Sequence, residues 1–242
     1  MDATGRVFLG SHYGGQGTPR MQNSQSGQTI KEEIANSVLH GIGVLLGITG
    51  LILLVLNAHS YVPVYVIFAS AMILMFFSST MYHALLPRGA KELFRMFDHQ
   101  AIYIFIAGTY TPYCFLAFKG TLGWVFFAFE WGLALTGIIL SAIKWRFLKK
   151  AELTIFILMG WVILAGTIPL ARALPLESFI LLFAGGAAYT AGTFWYRAGK
   201  EKFPAKGGPK QRRYGAHVIW HILVMAGAVC HWFSVWFLCL TV

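Results

Sequence analysis

Residues 214–240 read YGAHVIWHILVMAGAVCHWFSVWFLCL, a stretch of 27 residues without Asp, Glu, Lys or Arg. A helix needs about 20 mostly apolar residues to cross the hydrocarbon core of a bilayer, so this stretch is long enough to span one. His217 and His221 stand four residues apart within it. That spacing places both imidazoles on one helix face, about one turn apart. The pair therefore has the geometry of an HxxxH metal-binding motif.

The whole sequence has the composition of a membrane protein. Of its 242 residues, 57% are hydrophobic and 12% are charged, whereas a soluble domain carries about 25% charged residues. Seven stretches are long and apolar enough to span a bilayer, at roughly 35–57, 61–86, 96–118, 121–143, 153–171, 176–197 and 214–240. We therefore predict an all-α integral membrane protein, with a seven-helix membrane domain over residues 32–242. Its location would be the plasma membrane, or the inner membrane of a Gram-negative bacterium.

The first 31 residues differ from the rest of the chain. They are rich in Gly, Ser, Gln and Thr and nearly lack large aliphatic side chains. Such a segment cannot bury enough apolar surface to fold, so residues 1–31 are predicted to form a disordered cytoplasmic tail.

The basic residues are distributed unevenly between the two ends of the predicted helices. Of the 19 Lys and Arg residues, 17 lie in the N-terminal segment or after spans two, four and six, and only Lys119 and Arg172 lie on the other side. The positive-inside rule then places the N-terminus in the cytoplasm and the C-terminus outside. The basic run 200–213 is explained by topology and could also contact anionic lipid head groups at the cytoplasmic face. The net charge of +10 therefore does not indicate nucleic acid binding.

This orientation can be tested with fusions. A reporter that is active only outside the cytoplasm is expected to be active when fused after Val242, because the C-terminus is predicted to face outward. The same reporter inserted within residues 202–213 is expected to be silent. The reverse pattern would contradict the predicted topology.

Several ionisable residues are predicted to lie at the same depth in the membrane. His83 ends span two, Asp98 opens span three, and His217 and His221 open span seven. Ionisable residues within a membrane usually face the bundle interior and pair with another group. A zinc site with His83, His217 and His221 as ligands, a water in the fourth position and Asp98 hydrogen-bonded beside it fits this pattern. Alternatively, the histidines pack in the core and bond backbone groups or one another.

Other polar residues within the spans are harder to interpret. Glu33, Asn36 and His40 are spaced by three and four residues, so they are predicted to line one face of span one and point into the bundle. His231 lies roughly 15 Å beyond the HxxxH pair along its helix, too far to share a metal, and a structural role is predicted. Glu130 lies near the bilayer midplane, and the sequence identifies no partner for it.

Taken together, six motifs resemble one known family. They are Glu33-xx-Asn36-xxx-His40-Gly41, Ser79-xxx-His83, Asp98-His99, Gly108-Thr109-Tyr110-Thr111-Pro112, Gly160-Trp161, and His217-xxx-His221 with His231. The pattern is similar to the hemolysin III family, related to the progestin and adipoQ receptors and the alkaline ceramidase superfamily. The resemblance runs from about residue 32 to 240. It implies seven transmembrane helices, a cytoplasmic N-terminus and a zinc ion (Zn2+) held by three histidines.

Residue by residue, the resemblance implies that His83, His217 and His221 are the zinc ligands. It also implies that Asp98 lies near the zinc-bound water and that Ser79 lies beside it. The same three ligands and the same position of Asp98 are indicated by the residue spacing and the predicted depth in the membrane.

The function that follows is metal-dependent hydrolysis of a lipid-like amide or ester, for which the ceramidases are the chemical precedent. Zinc lowers the pKa of its water to about 7 and polarises a carbonyl group. Asp98 could then take the proton, and Ser79 could orient the water. The substrate would be a membrane lipid or another acyl-chain compound. Two alternatives remain open: a receptor or sensor with a structural zinc, and a cytolysin, as the family name suggests.

Overall fold

The computed structural model describes residues 28–143, 146–200, 202–205, 208–212 and 215–242. The predicted tail lies outside the described residues as far as residue 27. The described helices are α1 Ile30–Asn57, α2 Val62–Ala84, α3 Arg88–Pro112, α4 Gly120–Ala142, α5 Arg146–Trp161, α6 Thr167–Ala173, α7 Leu176–Lys200 and α8 Ala216–Cys239. A π-helical segment, Tyr113–Phe118, extends α3, and a 3₁₀ segment, Val162–Gly166, joins α5 to α6. A hairpin of β1 Lys202–Ala205 and β2 Gly208–Arg212 precedes α8.

The described helices confirm the predicted seven spans. Seven helical stretches are long and apolar enough to cross a membrane. The third runs through α3 and the π segment to Phe118, and the fifth runs from Ala151 through the 3₁₀ segment to Ala173. Among the described residues, the small hairpin between α7 and α8 is the one β-sheet, so the all-α fold class is confirmed as well.

The distribution of polar and apolar side chains is that of a protein surrounded by lipid. Large aliphatic residues face outward, with Leu56 76% and Ile168 68% exposed. Polar and charged residues such as Glu33, His40 and Glu130 are buried between the helices. In water this distribution would be costly, but in a bilayer the exposed aliphatic side chains contact lipid chains. The protein is therefore a multi-pass membrane protein.

The helix order gathers four helix termini at one end of the bundle. Helix α1 packs between α2 and α8, α2 packs on α3, and α7 packs on α8. Since α2 runs opposite to its neighbours, its C-terminal end lies beside the N-terminal ends of α1, α3 and α8. The third span is the most enclosed, with 78% of its apolar window buried.

The N-terminal end of α1 is fixed to the N-terminal end of α8. Thr29 and Glu32 form a capping box, in which Thr29 Oγ1 accepts from the Glu32 backbone N–H at 3.2 Å and Glu32 Oε2 accepts from the Thr29 N–H at 2.8 Å. The other oxygen, Glu32 Oε1, accepts from the Gly215 N–H at 2.7 Å. The bond to Gly215 joins the beginnings of α1 and α8, which are far apart in sequence.

Glycines on α1 allow its neighbours to approach closely. A Cβ atom at Gly43 would lie 2.7 Å from Met225 Cε of α8, and one at Gly47 would lie 2.9 Å from Ile73 Cγ1 of α2. Small residues at such contacts let membrane helices pack tightly. The close packing brings the polar face of α1 against the histidines of α2 and α8.

Candidate metal centre

The three predicted zinc ligands lie together at the end of the bundle where α1, α3 and α8 begin. His83 is in the last turn of α2, His217 is in the first turn of α8, and His221 follows one turn later. Each histidine offers one ring nitrogen, either Nδ1 or Nε2, and these three nitrogens lie within 4.8 Å of one another. Bonds to one zinc measure about 2.0–2.1 Å, so only a modest closure of the rings is needed to bind an ion. The group could therefore hold a metal.

A carboxylate from α1 holds the first of these rings. His83 Nδ1 donates to Glu33 Oε2 at 2.7 Å, because an ionised carboxylate can only accept. With the proton on Nδ1, the lone pair of a neutral ring lies on Nε2. That Nε2 atom is buried and has no hydrogen-bond partner among the described residues. A metal ion would satisfy this orphaned nitrogen.

Glu33 is itself paired within the protein. Its other oxygen, Oε1, lies 3.2 Å from Lys91 Nζ, which also donates to the backbone carbonyl of Tyr82 at 2.9 Å. Lys91 is only 3% exposed. A buried carboxylate needs such a partner to stay ionised, so Lys91 keeps Glu33 able to accept from His83.

A second histidine from α1 holds the ring of His221. The distance between His221 Nδ1 and His40 Nε2 is 2.7 Å, and both rings are buried. When His221 Nδ1 donates in this bond, its Nε2 carries the lone pair, and that atom is also buried with no hydrogen bond to the part of the chain that the structure describes. Metal-binding histidines commonly have one nitrogen held by a protein group and the other on the metal. His83 and His221 each have Nδ1 in contact with a protein group and Nε2 available for a metal.

The two predicted catalytic residues lie beside the histidines. Asp98 is a partly buried residue, and its carboxyl group lies near Ser79 and near the rings of His99 and His83. Ser79 is 1% exposed, and its hydroxyl makes no hydrogen bond of regular geometry, to Asp98 or to any other described group. The fold thus brings all five predicted site residues to one end of the bundle. Their chemical roles stay predictions.

The neighbouring histidines have other partners. His231 Nε2 donates to the Leu182 carbonyl at 3.0 Å, joining α8 to α7 and consistent with the predicted structural role. His99 Nδ1 lies 2.9 Å from Glu152 Oε2, which joins α3 to α5. Neither belongs to the group of residues that could hold a metal.

The partners of the candidate ligands are not predicted by the sequence pattern. The spacing of Glu33 and His40 predicts that they face the interior, and they do. It does not predict that they contact His83 and His221, because that depends on how α1 is rotated against α2 and α8. From the sequence, Lys91 is one of the basic residues after span two that indicate topology, and its pairing with Glu33 is not predicted.

Comparisons with known proteins agree with the resemblance. The profile of the family described as "Haemolysin-III related" matches residues 28–232. The chain is 38% identical over 222 residues to the Hemolysin-3 homolog of Bacillus subtilis (strain 168), covering 88% of this chain and 97% of that protein. It is 37% identical over 215 residues to Hemolysin-3 of Bacillus cereus, covering 87% and 93%.

A more distant similarity extends to animals. The chain is 26% identical over 176 residues to the human Monocyte to macrophage differentiation factor, covering 70% of this chain and 68% of that protein. The family match includes all five candidate site residues and extends from before α1 into α8. The chain therefore belongs to the haemolysin-III related family.

Proposed function

We propose that this protein is a zinc-dependent hydrolase of a lipid-like amide or ester. The observation that carries the proposal is the pair of buried, unpartnered Nε2 atoms of His83 and His221, which lie beside His217 and the Asp98 carboxyl group. Three protein ligands leave one position open, as in catalytic zinc sites, whereas structural sites are usually closed by four. Imidazole ligands also suit iron, nickel and copper, so the identity of the metal is part of the proposal.

The residues of α1 would keep this site in a binding-competent form. When bound, zinc supplies a Lewis acid that polarises a carbonyl oxygen and lowers the pKa of water to about 7. Glu33 fixes the His83 tautomer that leaves Nε2 free, and His40 can do the same for His221. Such partners also fix the ring orientation and raise the basicity of the ligand.

Asp98 and Ser79 would carry the proton and hydrogen-bonding chemistry. A carboxylate oxygen of Asp98 would accept the proton of the attacking water, and the same group would then protonate the leaving amine or alcohol. The Ser79 hydroxyl, which lies beside the Asp98 carboxyl group, could donate to the oxyanion that develops as the carbonyl carbon becomes tetrahedral.

The position of the site favours a substrate from the membrane. The histidines lie within spans whose outer surfaces are aliphatic, so an acyl chain could approach from the bilayer. Arg88 and Arg95, which are exposed near the start of α3 at the same end of the bundle, would attract anionic lipid head groups. We infer that this end faces the cytoplasm, as the positive-inside rule predicts.

The proposal is tested by measuring fatty acid release from a panel of lipid amides and esters in vesicles that contain purified protein. Protein with one zinc per chain is expected to hydrolyse at least one member, because the open zinc site would activate water. Removal of the metal with a chelator should abolish release, and added zinc should restore it. If zinc-loaded protein hydrolyses nothing on a broad panel, the hydrolase proposal is wrong and a receptor with a structural zinc becomes the better explanation.

A further inference from the structure

Glu130 of α4 is a second buried acidic group that the histidine site does not use. It is 0% exposed, so it faces neighbouring helices and not lipid. Neither Oε1 nor Oε2 makes a hydrogen bond with the described residues, and none of the described ion pairs includes it. An isolated carboxylate charge in such a position is strongly unfavourable, since nothing replaces its hydration.

The π segment and the 3₁₀ segment are the two irregular parts of the neighbouring spans. Polar groups at both segments form hydrogen bonds with other groups of the bundle. The Tyr110 hydroxyl donates to the Met159 carbonyl at 2.7 Å and accepts from the Ile163 N–H at 2.8 Å, which satisfies the backbone where α5 becomes 3₁₀. In the π segment, the Lys119 N–H donates to the Cys114 carbonyl at 3.2 Å. Neither segment donates a hydrogen bond to the Glu130 carboxyl group.

The titratable groups around Glu130 cannot compensate a negative charge. Tyr110 of α3 and Cys114 of the π segment are the described groups that interact with its carboxyl electrostatically. Both are neutral or negative and never positive. From α5, Glu152 is acidic and is already paired with His99. None of the described cationic side chains lies within ion-pair distance of Glu130.

We propose that Glu130 is a proton-binding site within the bundle, occupied at neutral pH and separate from the histidine cluster. Glu130 lies ten residues after the start of α4, about 15 Å from the end of the bundle opposite the histidines. A bound proton removes the buried charge and lets α4 pack against the third span. Loss of the proton restores a charge that this packing does not accommodate. Proton occupancy and the packing of α4 are therefore coupled.

Infrared spectroscopy of purified protein in lipid at pH 7 tests this directly. The wild type is expected to show a carboxylic acid C=O band that shifts in D₂O and is absent from Glu130→Gln. The band should decrease reversibly as the pH is raised. The control is Glu177→Gln, which removes an exposed carboxyl group in the first turn of α7 and should leave the carboxylic acid band unchanged.

The spectra also contain the results that would overturn the proposal. Identical wild-type and Glu130→Gln spectra in the carboxylic acid region would show that Glu130 is ionised. Loss of the wild-type band on addition of Na⁺ or K⁺ at constant pH would identify a cation site instead.

Thermal unfolding provides a second measurement. Glutamine has nearly the shape of the protonated side chain and no charge, so Glu130→Gln is expected to unfold near the wild-type temperature at pH 7. It should unfold above it at alkaline pH, where the wild type must bury a charge. A Glu130→Gln variant that is much less stable than the wild type at pH 7 would mean that the carboxylate is ionised and paired.

Discussion

His217→Ala is expected to abolish stoichiometric zinc binding, whereas His231→Ala on the same helix leaves it intact. Protein purified without chelator should contain about one zinc per chain, since three histidines and a water complete a tetrahedral site. Loss of one ligand of three leaves two imidazoles, too few for a tight site. His83→Ala and His221→Ala should have the same effect, because their Nε2 atoms are the orphaned nitrogens of the cluster.

The control is well matched to the ligand variants. His231 is a histidine of α8 like His217 and His221, and it is buried, but it bonds to the Leu182 carbonyl away from the cluster. Elemental analysis of the four variants, each with a folded helical spectrum, measures the difference. Full zinc retention by His217→Ala would contradict the proposed set of three histidine ligands.

Glu33→Gln adds a graded result to this series. The amide cannot bear the charge that holds the His83 Nδ1 proton and pairs with Lys91. Loss of such a supporting carboxylate typically lowers metal affinity by about 10–100-fold, so zinc should bind more weakly without being lost. An unchanged affinity would mean that the contact between Glu33 and His83 only stabilises the fold.

Hydropathy predicted the seven spans well, because crossing a bilayer imposes a long apolar run that is visible in any sequence. The boundaries were less accurate. Helix α1 begins at Ile30, whereas the apolar run predicts a span from about residue 35. Its first turn is held by the Thr29–Glu32 capping box and the bond from Glu32 to Gly215. These polar interactions contribute nothing to hydropathy.

The depth of each polar residue could be predicted from the sequence, but its contacts could not. Depth follows from position along a span, and this placed His83, Asp98 and His217 at one level. The pairing of Glu33 with His83, and of His40 with His221, depends on helix rotation and on the close packing at Gly43 and Gly47. Helix rotation and close approach depend in turn on side-chain packing among helices that are distant in sequence. For Glu130, the structure explains why no partner could be found, since the described residues supply none.

Asp98→Asn is expected to lower hydrolytic turnover by about 10²–10⁴-fold, the usual contribution of a general base. The carboxyl group lies near Ser79 and near the rings of His99 and His83, and we propose that it accepts the proton of a water activated at the cluster. Asparagine has nearly the same shape but cannot accept that proton as a carboxylate does. Because Asp98 is not assigned as a ligand, the variant should keep most of its zinc, with an affinity lower by about 10–100-fold at most.

The measurement is turnover at saturating zinc, with metal content determined on the same samples. Glu92→Gln is the control, since it makes the same acid-to-amide change at an exposed position of α3 and should leave turnover unchanged. A parallel fall in zinc and turnover in Asp98→Asn would make Asp98 a ligand or a positioning residue. Full turnover in Asp98→Asn would leave the hydrolase intact but assign the base to another group. A fall in turnover with zinc retained places the proton transfer at Asp98, because only the chemical step would then have lost its acceptor.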